Sequence, residues 1–188
     1  MISGVVLAAG ESKRFGRTKQ LALLEGKSLV QHAIDALVDA GMGEVVIVTG
    51  HDADAVEASL AMPPRGRVVR NSAYRDGQAS SLSTALHALD DSSEAAVVLM
   101  ADQPGIGADT VRAIVEEFLA TRKQVVRVAY RNGPGPALLS REIYGQAAHL
   151  FGDVGARELI ASHPEWVEEV PIDEDAPRDV DNPQDLFP

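Results

Sequence analysis

Lys13, Arg14, Arg17 and Lys19 place four of the chain's 17 basic residues within seven positions, in a protein whose formal charge is -11. A positive island in an acidic chain needs a local partner, and a polyphosphate has the charge density to be one. The island follows an apolar run that ends in Ala8-Ala9-Gly10. Small residues at such a point let a ligand touch backbone N–H groups. Two familiar phosphate signatures are missing. Five residues separate Gly10 from Gly16 and Arg17-Thr18 follow, where a P-loop has four and then Lys-Ser/Thr. The loop also lacks the Gly-x-Gly-x-x-Gly triplet of dinucleotide sites. On spacing alone it is a phosphate loop of another kind or a basic turn at a strand end.

Asp102 is the second candidate. It follows the most apolar run of the chain, Ala95 to Ala101, and Gln103-Pro104 come next. Its plain use is to cap the following turn. Its chemical use is as a Mg²⁺ ligand. Mg²⁺ takes few protein carboxylates and completes its shell with phosphate oxygens and water, so one carboxylate beside a polyphosphate loop suffices. A third candidate is the polar segment from Asn71 to Leu82. Ser80 and Ser81 there are either N-caps or donors to a base or ribose, with Gly77 permitting close approach. Arg65, Arg67, Arg70 and Arg75 lie in and just before it, as solvated surface or as a wall facing an acidic second substrate.

These residues need elements that bring them together. Residues 2–8 and 44–49 read as buried β-branched strands and 67–71 as a short one. Ser28 can cap a helix over 28–40, which Gly41 and Gly43 stop. Further helices are predicted from Asp52 or Asp54 to 60 and over 78–89 and 109–121. Strands are predicted over 95–100, 124–130 and 166–172. Residues 133–139 read as a turn and a short extended piece. Ser140 begins a helix to about 150, and Asp153 or Gly155 begins another to about 162. Strand–helix alternation implies a doubly wound, mostly parallel α/β sheet with right-handed crossovers. Ligands of such sheets bind at the carboxyl ends of the strands, which puts the basic loop and Asp102 on one edge.

Composition narrows the classes. The chain has 188 residues and 45% hydrophobic content, enough for a cored domain, expected to span 1–188 as one unit. It has no cysteine, which excludes disulfide scaffolds and thiolate chemistry and fits a cytoplasmic setting. No apolar run has the length of a membrane span, and the acidic balance argues against nucleic acid as a partner. The five histidines show no metal-ligand spacing.

The segment Leu7-Ala8-Ala9-Gly10-x-Ser12-x-Arg14-Phe15-Gly16-x-x-Lys19-Gln20-Leu21 resembles the signature of the nucleotidyltransferases related to molybdenum cofactor cytidylyl- and guanylyltransferases. The resemblance runs over almost the whole chain. It includes Asp102-Gln103-Pro104, the Asn71 to Leu82 segment, Gly152-Asp153-Val154-Gly155-Ala156-Arg157 and the ending Asp179-Val180-Asp181-Asn182-Pro183-Gln184-Asp185. It departs at Gly135, where cytidylyltransferases typically carry His, and at Asn182, which replaces Thr.

The resemblance implies a Rossmann-like, nucleotide-diphospho-sugar transferase type of fold. It implies nucleotide binding by Leu7, Ala8, Ala9, Gly10, Arg14, Lys19, Gly77, Ser80 and Ser81, and catalysis by Arg14, Lys19 and Asp102 with Mg²⁺. The second metal carboxylate is Asp181 or Asp153, with Asp181 favoured because Asp-x-Asp-x-Pro tails supply one in related enzymes. The implied reaction transfers CMP from CTP to the phosphate of a molybdopterin-type cofactor and releases pyrophosphate, and a molybdenum enzyme would receive the product. GTP as donor, a sugar phosphate as acceptor, or a non-catalytic cofactor chaperone are the rival readings.

Overall fold

The computed structural model describes residues 1–154 and 156–186. A seven-stranded sheet forms its centre, in the order β5-β4-β1-β6-β8-β7-β9. In chain order the elements are β1 (Ile2–Ala8), the two-residue strands β2 (Leu23–Leu24) and β3 (Lys27–Ser28), α1 (Leu29–Asp39), β4 (Val45–Thr49), α2 (Ala53–Ala58), β5 (Gly66–Arg70), α3 (Gln78–Ala88), β6 (Ala95–Met100), α4 (Ala108–Thr121), β7 (Val125–Tyr130), β8 (Gly133–Ser140), α5 (Tyr144–Ala147), α6 (Arg157–Ser162) and β9 (Val167–Ile172).

β1 is central because both its faces are buried. Val6 and Ala8 join the core under α1 and α4, while Val5, Leu7 and Ala9 join the core under α3, α5 and α6. Alternate strand residues point to opposite faces, so an unbroken apolar run suits a sheet covered on both sides. β1 pairs in parallel with β4 and with β6. From β1 the chain moves outward to β4 and β5, then returns to β6 on the other side. The strand order therefore reverses at β1, the position where open α/β sheets place their ligand crevice.

Three local expectations are corrected. Residues 133–139, expected as a turn and a short extended piece, are extended throughout, with no turn, in an eight-residue strand antiparallel to both β6 and β7. Leu138 enters one core and Leu139 the other, and that burial outweighs the Gly-Pro-Gly-Pro lead-in. The prolines are accommodated because pairing with β6 ends at Ala137, and the β7 register shifts between Arg127 and Ala129, a bulge that spares a missing N–H. Gly135 lies against the Tyr130 ring, where an added Cβ would sit 2.5 Å from Tyr130 Cε2, so the packing here accounts for glycine where the resemblance would expect His.

The second correction is Ser28, which makes no side-chain cap; it pairs with Leu23 in the small β2–β3 hairpin. The third concerns the helix expected from Ser140. It is only a 3-10 turn (Arg141–Ile143) followed by α5. Gly145, a poor helix former, lies within it, and Gly152 closes the segment with φ +74°. Asp153 sits in a 3-10 turn, Gly152–Val154, and α6 begins at Arg157; Gly155 lies outside the described residues.

After β9 the chain turns back across the carboxyl edge of the sheet. Arg131 N–H donates to Glu174 O at 3.0 Å, Ala176 N–H to Asn132 Oδ1 at 2.7 Å, and Val180 N–H to Asp102 O at 2.9 Å. A third apolar cluster fastens the end of this path. Val180 is buried with Phe15, Ala22 and Leu29, and Leu24 and Leu186 pack against them.

Candidate active site

The carboxyl ends of β1 and β6, the start of α3 and the returning tail enclose a cleft of about 410 Å³, within the size range of small-molecule sites. Its floor includes Leu7, Ala9 and Gly10 from the end of β1 and Met100 from β6. One wall is the basic loop, and another holds Tyr74, Arg75, Gly77, Gln78 and Ser81.

The loop is shaped by Gln20 as much as by glycine. Gln20 is buried, and its Nε2 donates to Gly10 O at 2.9 Å. Ser12, with φ +54°, donates from Oγ to Gln20 Oε1 at 3.2 Å and accepts from Lys19 N–H at 3.2 Å. The loop thus closes on itself and leaves its cations at the rim. Phe15, buried against Val180, anchors the middle.

Four charged groups cluster at one end of the cleft. Lys19 Nζ donates to Asp102 Oδ2 at 2.6 Å and to Val180 O at 3.2 Å, and lies 3.6 Å from Asp181 Oδ1. Arg14 Nη1 holds Asp181 Oδ2 at 2.9 Å. Lys19 and Asp102 are mostly buried, at 16% and 19% side-chain exposure, whereas Arg14 is 77% exposed. Arg14, Lys19, Asp102 and Asp181, separated by up to 167 positions, meet at one end of the cleft. At the outer rim Lys13 Nζ bonds Glu11 Oε2 at 2.8 Å. That contact holds the Glu11 carboxyl below its ordinary range and raises Lys13.

Other expected residues take different positions. Gly77, with φ +100°, is where α3 meets the Gly152 turn. A Cβ there would lie 2.3 Å from Gly152 C, so only glycine allows that approach, which sets Asp153 in the cleft lining. No ion pair among the described residues joins Asp153 to Lys19 or Arg14. Ser81 lines the cleft, but Ser80 does not. The Ser80 hydroxyl reaches the carbonyls of Ala73 and Gly77 at 2.9 and 2.8 Å, and Asn71 Nδ2 donates to Ser80 Oγ at 2.8 Å and Ser81 Oγ at 3.0 Å. Ser80 is thereby part of the frame of this loop. Ala8 is buried beneath the floor and faces the opposite core from Leu7 and Ala9. Sequence reasoning missed Val180, whose carbonyl meets Lys19, and Met100 in the lining, and it singled out neither Tyr74 nor Gln78 within the Asn71 to Leu82 segment. None of these four stands out by residue type, and only their position on the carboxyl edge could have marked them.

The donor set suits a hard divalent cation. Two carboxylates and a carbonyl already surround one cation, the Lys19 ammonium, and all three are oxygen donors of the kind Mg²⁺ prefers. No group of three or more His, Asp or Glu side chains is arranged to hold a metal among the described residues. A cation here would take the rest of its shell from water and a phosphorylated ligand. Among the described residues, no helix is long and apolar enough to cross a membrane.

The family described as MobA-like NTP transferase domain matches residues 4–167. Nicotine blue oxidoreductase of Paenarthrobacter nicotinovorans is 32% identical over 197 residues, covering 99% of this chain and 95% of that protein. The crystal structure of Rv0371c from Mycobacterium tuberculosis H37Rv superposes with a TM-score of 0.87 at 32% identity, covering 98% of this chain and 94% of that one. The same protein also has a structure in complex with manganese, with a TM-score of 0.83 at 30% identity over 98% of this chain and 94% of that one. The bifunctional protein GlmU of Methylibium petroleiphilum is 28% identical over 165 residues, 86% of this chain but 36% of that protein.

Proposed function

Since this chain belongs to the MobA-like NTP transferase family of nucleotidyltransferases, we propose that it transfers CMP from CTP to the phosphate of a molybdopterin-type cofactor, releasing pyrophosphate. The observation that carries the reading is the Arg14–Lys19–Asp102–Asp181 cluster at the mouth of a nucleotide-sized cleft. An acceptor phosphate oxygen attacks the α-phosphorus in line. One P–O bond forms as the bond to the β-phosphate oxygen breaks, and pyrophosphate carries away the electron pair. The acceptor phosphate is already largely ionised near neutral pH, so the protein needs no strong base. Positioning and charge neutralisation supply most of the rate. Lys19 and Arg14 meet the charge growing on pyrophosphate. Gly10 and Ala9 let the nucleotide lie close to the backbone, and Ser81 and Gln78 offer hydrogen bonds from the α3 side. Asp102 and Asp181 would hold Mg²⁺, which would supply further neutralisation of phosphate charge. Asp153, on the other wall, is assigned to the acceptor side.

CTP is preferred as donor because Leu7-Ala8-Ala9-Gly10 and Lys19-Gln20 resemble the cytidylyl branch more than the guanylyl one. Two further readings have specific support. The GlmU match favours a sugar-phosphate acceptor, and the match over 99% of the chain to a protein named an oxidoreductase favours redox chemistry in the same cleft, for which NADH and NADPH serve as probes. One panel separates them. CTP with Mg²⁺ should raise the melting temperature more than GTP, ATP, UTP, NADH or NADPH, because a ligand stabilises according to its affinity for the folded state. Pyrophosphate release should then require the pterin acceptor. A larger shift with NADH and no pyrophosphate release would replace transfer by redox chemistry, and release with a sugar phosphate alone would change the acceptor.

A further inference from the structure

We propose that the Lys19 ammonium occupies the divalent-cation seat of the nucleotide-free protein, and that an arriving triphosphate draws it away, so that metal and nucleotide bind strongly only together. The identity of the anion rests on the nucleotidyl-transfer reading above.

The seat is held by the fold, while the ammonium is held only by the seat. Asp102 follows β6, and its carbonyl accepts from Val180 N–H at 2.9 Å. Val180 is fixed by its buried side chain. Asp181 is held through its own N–H, which donates to Asp185 Oδ2 at 2.9 Å. These contacts do not involve the Lys19 side chain. Lys19 is tied at its backbone, where its N–H donates to Ser12 Oγ at 3.2 Å. Its four-carbon stem is flexible and ends in a compact point charge.

In this arrangement Lys19 and Arg14 already neutralise Asp102 and Asp181. A free dication approaching the seat meets two cations at close range, and like charges at such distances in a partly buried site repel strongly. A triphosphate reverses the balance. Its phosphates compete for both basic side chains, and Lys19 can leave the carboxylates without leaving the cleft. The vacated oxygens then face a metal ion already attracted by the phosphates. Linkage requires the effect to be mutual: metal must tighten nucleotide binding by the same factor as nucleotide tightens metal binding. The device protects an acidic edge from idle metal loading, and it gives Lys19 a role before any chemistry begins.

The test is Mn²⁺ binding by electron paramagnetic resonance to the full chain without nucleotide. Lys19→Met should bind Mn²⁺ about tenfold more tightly than the wild-type protein, and Lys19→Met with Asp102→Asn should lose that gain. Lys19→Gln, which keeps a polar group at similar length, repeats the measurement should the methionine variant fold poorly, and circular dichroism confirms folding of each. Mn²⁺ affinity in both single variants equal to or weaker than wild type overturns the proposal. CTP binding to the wild-type protein, followed by melting temperature in parallel, reports separately on the nucleotide reading; its absence would overturn that reading without altering the Mn²⁺ comparison.

Discussion

The two edges of the central sheet use the same chemistry for opposite ends. At the amino edge Glu44 is only 6% exposed, yet every contact it needs is close by. Its Oε1 accepts from Ser3 Oγ at 2.8 Å and Asp90 N–H at 2.9 Å, and its Oε2 pairs with Arg67 at 2.8 Å. Ser3 is shared with Ser93, Oγ to Oγ at 2.7 Å. At the carboxyl edge Asp102 and Asp181 also meet cations, but the cluster opens on a cleft of about 410 Å³. A carboxylate satisfied by backbone and hydroxyl donors is a structural part. A carboxylate satisfied mainly by mobile cations can exchange them for a ligand. Buried charge therefore says little about function until its partners are known.

The largest expected effect sharpens that contrast. Asp102→Asn should lower turnover on the order of 10³-fold, about 4 kcal/mol of transition-state stabilisation, with the fold intact. Steady-state pyrophosphate release together with thermal melting would show it, and near-normal turnover would remove Asp102 from the reaction. Glu44→Ala should do the reverse. It leaves Asp90 N–H and Arg67 without this acceptor and Ser3 with Ser93 alone, and should cost about 2–3 kcal/mol of stability in urea unfolding, discounted for the half-exposed Arg67. Turnover per folded molecule should be unchanged; a matching loss there would mean that the amino edge is coupled to the cleft.

Gly77→Ala should come next. The positive φ and the contact with the Gly152 backbone predict a loss of about 1–3 kcal/mol and a raised KM, because the turn carrying Asp153 must shift. An unchanged KM in a stable variant would show that this wall does not contact substrate.

The smallest effect concerns acid. Asp185 accepts from the backbone N–H groups of Asn182 and Asp181, and these bonds hold its carboxyl below its ordinary value of 3.8. With the folded value depressed, its contribution is complete above the unfolded value and is lost as pH falls through the lower folded value. Hydrogen-exchange protection of the Asp181 and Asn182 amides should therefore drop on acidification below about pH 3.8. Asp185→Asn should remove that pH dependence; an identical profile in the variant would place the acid sensitivity elsewhere.

Much of the carboxyl edge is written locally. The basic loop directly follows the apolar run into Ala8-Ala9-Gly10, and Asp102 directly follows the run to Ala101, so strand, loop and Asp102 can each be read without a fold. The alternation of strands and helices then places both on one edge, because parallel strands must share a direction. What tertiary structure decided was everything carried by distant packing. The strand at Gly133–Ser140 exists because two cores bury Leu138 and Leu139, although its first residues read as a turn. Ser80 serves its own loop because Asn71 lies within reach. Asp181 reaches Lys19 and Arg14 only because a tail with no periodicity of its own is fastened by Asp102, Phe15 and Leu29. Pairings across more than 160 positions leave no local pattern; they follow from which surfaces the folded sheet leaves to be covered.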